Sequence, residues 1–214
     1  MKNLKQQIDE LNANLAKQLP QETLDAFGKS IQDLKAQNIE SNSIGTGKRF
    51  PDFSLPNINS ETISLNELLN LTTGKVIIAF FRGSWCPYCN LELKALQDNL
   101  KHITNKSATL VVISPQTPEH NQELKSTHHL GFELLTDKNN TLAKQLGISF
   151  KLKDDVTSVY NSLGIELAEY NENNNNELPV PAVFVVDKNY SITYKFVDIN
   201  YMNRIDIKKM IEQL

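Results

Sequence analysis

Cysteine is scarce in this chain: two residues in 214, Cys86 and Cys89. Two thiols cannot build a disulfide framework. With four histidines, His102, His120, His128 and His129, none at finger spacing from the pair, a four-ligand zinc site also lacks partners. No stretch approaches the ~18 apolar residues of a membrane span. The opening segment, MKNLKQQIDELNANL, has no apolar core of the signal-peptide kind, which leads to the expectation of a cytoplasmic protein. Basic charge is not in excess either. The formal net charge is −3 and no dense Lys/Arg stripe is interleaved with aromatics, so neither nucleic acid nor a membrane is an expected partner. Internal repeats are absent. What remains is the composition of an ordinary globular chain, long enough for one well-buried domain with additions. In a reducing compartment, two cysteines are better explained by redox activity than by a structural bridge.

The two cysteines lie in Val76 to Leu100, VIIAFFRGSWCPYCNLELKALQDNL. Val76 to Phe81 is a continuous apolar, β-branched and aromatic run, the pattern of a fully buried strand. Arg82-Gly83-Ser84 is a turn. From Pro87 the period changes, with Leu91, Ala95, Leu96 and Leu100 on one helical face and Pro87 suited to a first-turn position. Cys86 is thus expected at a helix N-terminus, where unpaired N–H groups and the helix dipole stabilise a thiolate and can bring its pKa from about 8.5 into the range of roughly 3.5–7.5. Cys89 follows one turn later, within disulfide reach of Cys86. The pair can cycle between dithiol and disulfide, and a bridge closing so short a loop contributes little as a staple.

Along the chain, Leu4, Ile8, Leu11 and Leu15, then Leu24, Phe27, Ile31 and Leu34 after Pro20, predict a helical hairpin whose apolar stripe must be covered by the main domain or by a second subunit. Asn38 to Gly47 reads as a linker, which divides the chain into residues 1–47 and 48–214. Phe50 to Pro56 and Thr62 to Leu65 predict two short extended segments. Thr109 to Ser114 is a buried strand followed by a helix from Pro118. Phe132 to Thr136 leads to a short helix over Thr141 to Leu146, and a further helix is expected around Val156 to Leu163. The polar run Asn171 to Glu177 is expected to be a mobile loop. Ala182 to Val186 and Ser191 to Val197 form a hairpin, and an amphipathic helix with Ile207, Met210, Ile211 and Leu214 inward ends the chain. This β-α alternation with a closing hairpin predicts an α/β fold: a central mixed sheet with helices on both faces.

Strand, Trp-Cys-Pro-Tyr-Cys, helix, and a later Val-Pro-Ala segment leading into a hairpin and terminal helix resemble the thioredoxin fold. More of the chain, from about Gly47 to Leu214, resembles the peroxiredoxin-like branch of the alkyl hydroperoxide reductase and thiol-specific antioxidant family. Phe50-Pro51-Asp52-Phe53-Ser54-Leu55-Pro56 is similar to that family's entry strand and Phe80-Phe81-Arg82-Gly83 to its central strand end. Leu135-Thr136-Asp137 with Leu142-Ala143-Lys144 is similar to its later strand-turn-helix. The N-terminal hairpin lies outside the resemblance.

The resemblance implies a thiol-dependent antioxidant oxidoreductase with Cys86 and Cys89 as its catalytic pair. In the peroxiredoxin register Cys89, followed by Glu92, is the attacking cysteine and Cys86 stands where the family has threonine. In the thioredoxin register Cys86 attacks and Cys89 resolves. Both registers stay open here. The family's peroxide-binding arginine precedes its late strand, where this chain has Val180-Pro181-Ala182; among Arg49, Arg82 and Arg204, Arg82 is the candidate guanidinium. Pro181 resembles the thioredoxin cis-proline and Trp85 the tryptophan that covers the active site, so Trp85, Pro87, Val180 and Pro181 are expected to border the substrate. Hydroperoxide reduction is the first reading and protein disulfide reduction the second; a non-catalytic metal- or partner-binding module is the third. The first implies a hydroperoxide substrate and a thioredoxin- or glutaredoxin-like thiol donor. It requires no metal or organic cofactor. The family and the apolar arm together suggest a homodimer.

Overall fold

The computed structural model describes residues 3–72 and 74–214; Met1 and Lys2 of the expected N-terminal segment lie outside them. Strand β1 is Ser54–Pro56, β2 Thr62–Ser64, β3 Val76–Phe80, β4 Thr109–Ser114, β5 Glu133–Thr136, β6 Ser149–Lys151, β7 Glu177–Pro179, β8 Ala182–Val186 and β9 Ile192–Val197. The central sheet runs β5-β4-β3-β8-β9. Its β3–β4 and β4–β5 pairs are parallel, and β3–β8 and β8–β9 antiparallel. It is the mixed sheet of a thioredoxin-like α/β fold. Every residue of β3 is buried, and the period-two alternation of strands divides them between two cores. Ile78 and Phe80 join Phe50 and Phe184 on one face, while Ile77 and Ala79 join Leu93, Leu96 and Ile103 on the other.

The site helix, Pro87–Asp98, follows β3 through the Arg82–Trp85 turn. Its inward face differs from the expected one. Cys89, Glu92, Leu93 and Leu96 are buried, whereas Leu91 and Ala95 are only partly so. It also stops at Asp98, because the Asn99 side chain donates to the Ala95 carbonyl (2.8 Å) and so competes with the helical ladder. Leu100 belongs to a separate short helix, Leu100–Asn105.

Further segments depart from the sequence expectation or add to it, among them the expected linker, which contains the short helix Ile39–Asn42. Thr62 to Leu65 is a strand only as far as Ser64; a helix, Leu65–Leu71, starts there on a reciprocal Ser64–Glu67 capping box. β6 and β7 pair antiparallel with each other. The expected mobile run Asn171 to Glu177 is tied down: Asn173 donates to the Asn171 carbonyl, the Asn175 N–H to the Asn173 side chain, and the Leu152 N–H to the Asn176 carbonyl.

Helices α1, Leu4–Gln18, and α2, Gln21–Lys35, form the N-terminal hairpin. α1 packs on the site helix, where the Tyr88 hydroxyl donates to Asn12 Oδ1 at 2.6 Å, and α2 packs on the helix Asp154–Ser162. Part of the apolar stripe is thus covered within the chain, with Ile8, Ile31 and Leu34 buried.

Candidate active site

The turn after β3 is held from below by a buried polar network. The Ser84 N–H donates to Gln116 Oε1 (2.8 Å), Gln116 Nε2 to Asn121 Oδ1 (2.8 Å), and Asn121 Nδ2 to Thr136 Oγ1 (3.0 Å). Gln116 and Asn121 are fully buried, so each of these groups depends on the others for its partner. We predict that Asn121→Ala, which leaves the Gln116 amide and Ser114 hydroxyl without their shared acceptor, costs about 3 kcal/mol of stability, read as a lowered denaturant midpoint at unchanged slope. Above the network, Gly83 sits against the Trp85 indole, which occupies the place a side chain would take.

Cys86 is the N-cap of the site helix, in extended backbone, with Pro87 at the first helical position. Both cysteines are reduced and fully buried, Cys86 included although it stands at the helix N-terminus. Arg82, 4 % exposed, is buried beside it. Arg82 Nη2 donates to Cys86 Sγ at 3.2 Å and Nη1 to the Tyr160 hydroxyl at 2.9 Å. The guanidinium also lies 4.0 Å over the Tyr201 ring and 5.2 Å from that of Trp85. A second arginine serves the second sulfur. Arg204 Nη2 donates to Cys89 Sγ at 3.5 Å, while its Nη1 forms a 2.6 Å buried ion pair with Glu92.

These contacts separate the two thiols. Burial by itself would raise Cys86, but the hydrogen bond from Cys89 and the charges of Arg82 and Arg204 outweigh it and hold Cys86 well below the ordinary thiol range. For Cys89, burial and donation to the Cys86 sulfur act in the same direction and push it well above that range. Of the two, Cys86 is thus the sulfur that more readily gives up its proton and Cys89 the one that holds it. Burial raises the Glu92 carboxyl, while the permanently charged Arg204 opposes that rise and keeps the pair ionic. Burial also raises Tyr160, which keeps its proton.

A cavity of about 520 Å³ opens on this cluster, bordered by Arg82, Trp85, Pro87 and Tyr160 and by the hairpin. Arg82, Trp85 and Pro87 are thus brought together on one cavity. Val180 and Pro181 lie outside its lining; both are buried beside an adjoining cleft of about 10 Å³, the space of a single water, which they share with Arg82 and Tyr160. No cis peptide occurs among the described residues, so Pro181 is not a cis-proline. Nor are the neighbouring backbone groups open to a docked chain: the Val180 N–H donates to the Ile148 carbonyl and the Pro181 carbonyl accepts from Asp198.

Sequence reasoning names Arg204 only as an alternative to Arg82 and does not single out Tyr160 or Tyr201. One signal was present. The chain has only three arginines against nineteen lysines, and two of the three are the buried pair at the cysteines. A rigid bidentate guanidinium is the cation suited to such a site.

The chain is 27% identical over 129 residues to peroxiredoxin Bcp of Bacillus subtilis, covering 60% of this chain and 78% of that one. It is 25% identical over 107 residues to peroxiredoxin Bcp of Escherichia coli, covering 50% and 67%. Among solved structures it resembles peroxidoxin BcpB of Mycobacterium tuberculosis, with a TM-score of 0.62 over 79% of this chain and 96% of that one; at 20% identity this is a likeness of fold. The family model that matches residues 46–195 is that of AhpC/TSA, and with it the fold, the paired cysteines and the relatives agree: the chain belongs to the AhpC/TSA family.

Proposed function

We propose that the protein is a thiol peroxidase that reduces hydroperoxides through a Cys86/Cys89 dithiol–disulfide cycle. The observation that carries this reading is Arg82, whose guanidinium binds the Cys86 sulfur, binds Tyr160 and borders the open cavity. Cys86 does not itself line the cavity, so a hydroperoxide approaches its sulfur by way of Arg82, whose buried cation also faces the negative charge that develops as the O–O bond breaks. The Cys86 sulfur attacks the terminal oxygen, the O–O bond breaks, and the leaving alkoxide takes a proton to become the alcohol. Tyr160 supplies a hydroxyl where the family's threonine is missing, and its raised pKa keeps that proton available. Cys86, now a sulfenic acid, condenses with the Cys89 thiol, releasing water and forming the disulfide. An external dithiol then reduces the bridge.

This assignment makes Cys86 the attacking and Cys89 the resolving residue, with Arg82 as the transition-state donor and Trp85 and Pro87 at the substrate's edge. Arg204 with Glu92 positions Cys89. The burial of both sulfurs and the internal pairing of Val180 and Pro181 favour a small peroxide over an extended polypeptide disulfide. The same reading takes a thioredoxin- or glutaredoxin-like dithiol as reductant, a cytoplasmic location, and a homodimer whose core is residues 48–214 with residues 1–47 as an appended arm. Stopped-flow mixing of the reduced protein with a hydroperoxide tests the central claim. Both thiols are expected to be lost far faster than free cysteine reacts; a rate equal to that of free cysteine overturns the peroxidase reading.

A further inference from the structure

Arg82 has few fixed points for a buried cation. Its Nε has no hydrogen-bond partner, so its orientation rests on the bonds of Nη1 to Tyr160 and Nη2 to Cys86 and on the Tyr201 ring 4.0 Å from it. Two of these three supports are phenols, and both lean on the N-terminal hairpin. Phe27 of α2 packs on each: its ring centroid lies 5.7 Å from that of Tyr160 and 6.5 Å, edge to face, from that of Tyr201. Tyr160 comes from the helix Asp154–Ser162 and Tyr201 from the turn after β9, so Phe27 bridges two separate segments. Its ring also borders both the large cavity and the adjoining cleft, as do Arg82, Tyr160 and Tyr201. The hairpin itself lies outside the residues matched by the family.

We propose that Phe27 is a positioning residue of the peroxidase site: by bracing Tyr160 and Tyr201 it fixes Arg82 against Cys86. The hairpin, although appended to the family's domain, thereby becomes part of the catalytic unit. The inference rests on the reading of Cys86 as the attacking sulfur and Arg82 as its donor. With Phe27 gone, the phenols gain room to turn, Arg82 spends less time on the sulfur, and the thiolate loses part of its counterion. The titratable and charged groups facing Cys86 are Arg82, Arg204, Cys89 and the phenols of Tyr88, Tyr160 and Tyr201. Burial keeps the three phenols protonated, and Arg204 is anchored separately by Glu92, so the placement of Arg82 is the variable that Phe27 controls. Water admitted at Phe27 reaches Arg82 first, since Cys86 lines neither space. The sign follows: loss of Phe27 makes the Cys86 thiol harder to ionise.

A double-mutant cycle tests this. The thiolate of the reduced, intact protein is titrated by its ultraviolet absorbance, without peroxide, in the wild type, Phe27→Ala, Arg82→Met and the double variant. The rate of hydroperoxide reduction is then measured on the same four. Phe27→Ala is expected to move the titration up by about half a pH unit or more and to slow the reaction roughly tenfold. Phe27→Leu, which keeps most of the bulk, should fall between wild type and alanine, and it carries the cycle if the alanine variant does not fold. In the Arg82→Met background, loss of Phe27 should leave the titration in place and change the rate by less than about twofold. A titration unmoved by loss of Phe27, or effects that multiply in the double variant, overturns the positioning role and leaves the peroxidase reading intact. Titrations that follow the cycle while peroxide reacts no faster than with free cysteine overturn the peroxidase reading and leave Phe27 as the brace of Arg82.

Discussion

Replacing Cys86 by serine should lower the second-order rate of hydroperoxide reduction by on the order of a thousandfold or more, because loss of a nucleophile removes the chemistry itself. Cys89→Ser should behave differently. A serine hydroxyl can still donate to the Cys86 sulfur, so the first oxidation proceeds at a rate near that of the wild type. It then stops at the sulfenic acid, which a dimedone-type reagent traps and mass spectrometry detects as a single adduct. The asymmetry follows from the hydrogen bond between the sulfurs and from the two arginines, which together make Cys86 the sulfur that more readily gives up its proton. The opposite pattern, in which Cys89→Ser is inert and Cys86→Ser retains the first oxidation, would establish the family register. Cys89, Arg204 and Glu92 would then be the reacting group.

Arg82→Met is expected to cost about 100- to 1,000-fold in the same rate, the usual consequence of deleting one pre-organised donor to a developing charge. Methionine keeps most of the buried stem, so the loss is one of charge and hydrogen bonds to Cys86 and Tyr160. The pH profile provides a separate readout. The thiolate exists above the lowered Cys86 pKa and is lost as pH falls through it. Removing Arg82 takes away one of the interactions that lower it, so the acid limb of the profile must move to higher pH. A variant less than fivefold slower, with an unmoved acid limb, would remove Arg82 from the mechanism.

Legibility in the sequence tracks how local each determinant is. Val76–Phe80, Thr109–Ser114 and Ala182–Val186 are runs of apolar residues buried on both faces, and a strand of that kind can be read from its own residues. Cys86 at a helix start is equally local, since Pro87 marks the first turn. The Ser64–Glu67 capping box is local as well, but Thr62 to Leu65 alternates like a strand and so conceals the helix that starts there. The three-residue strands β6 and β7 carry no period long enough to detect. The asparagines of 171–176 look unstructured by composition, yet their side chains supply the partners that the backbone needs. The arginine–cysteine geometry is of another kind. Tyr160 meets Arg82 across 78 residues and Arg204 meets Cys89 across 115, distances over which no spacing rule operates. The burial of Arg82 follows from that convergence, since the rings of Tyr201, Trp85 and Tyr160 enclose it.

The reduced site is electrically closed: two guanidiniums, Arg82 and Arg204, face two anions, the Cys86 thiolate and the Glu92 carboxylate. Joining the sulfurs removes one anion. Glu92 still answers Arg204, but Arg82, 4 % exposed, is left as a buried cation with only a phenol and aromatic faces around it. An unpaired interior charge is costly, and here the cost falls entirely on the oxidised form. The reduction potential of the pair is thereby raised, making the disulfide a good electron acceptor. Arg82 thus acts on both halves of the turnover, and a donor of modest reducing strength suffices to return the protein to its dithiol state.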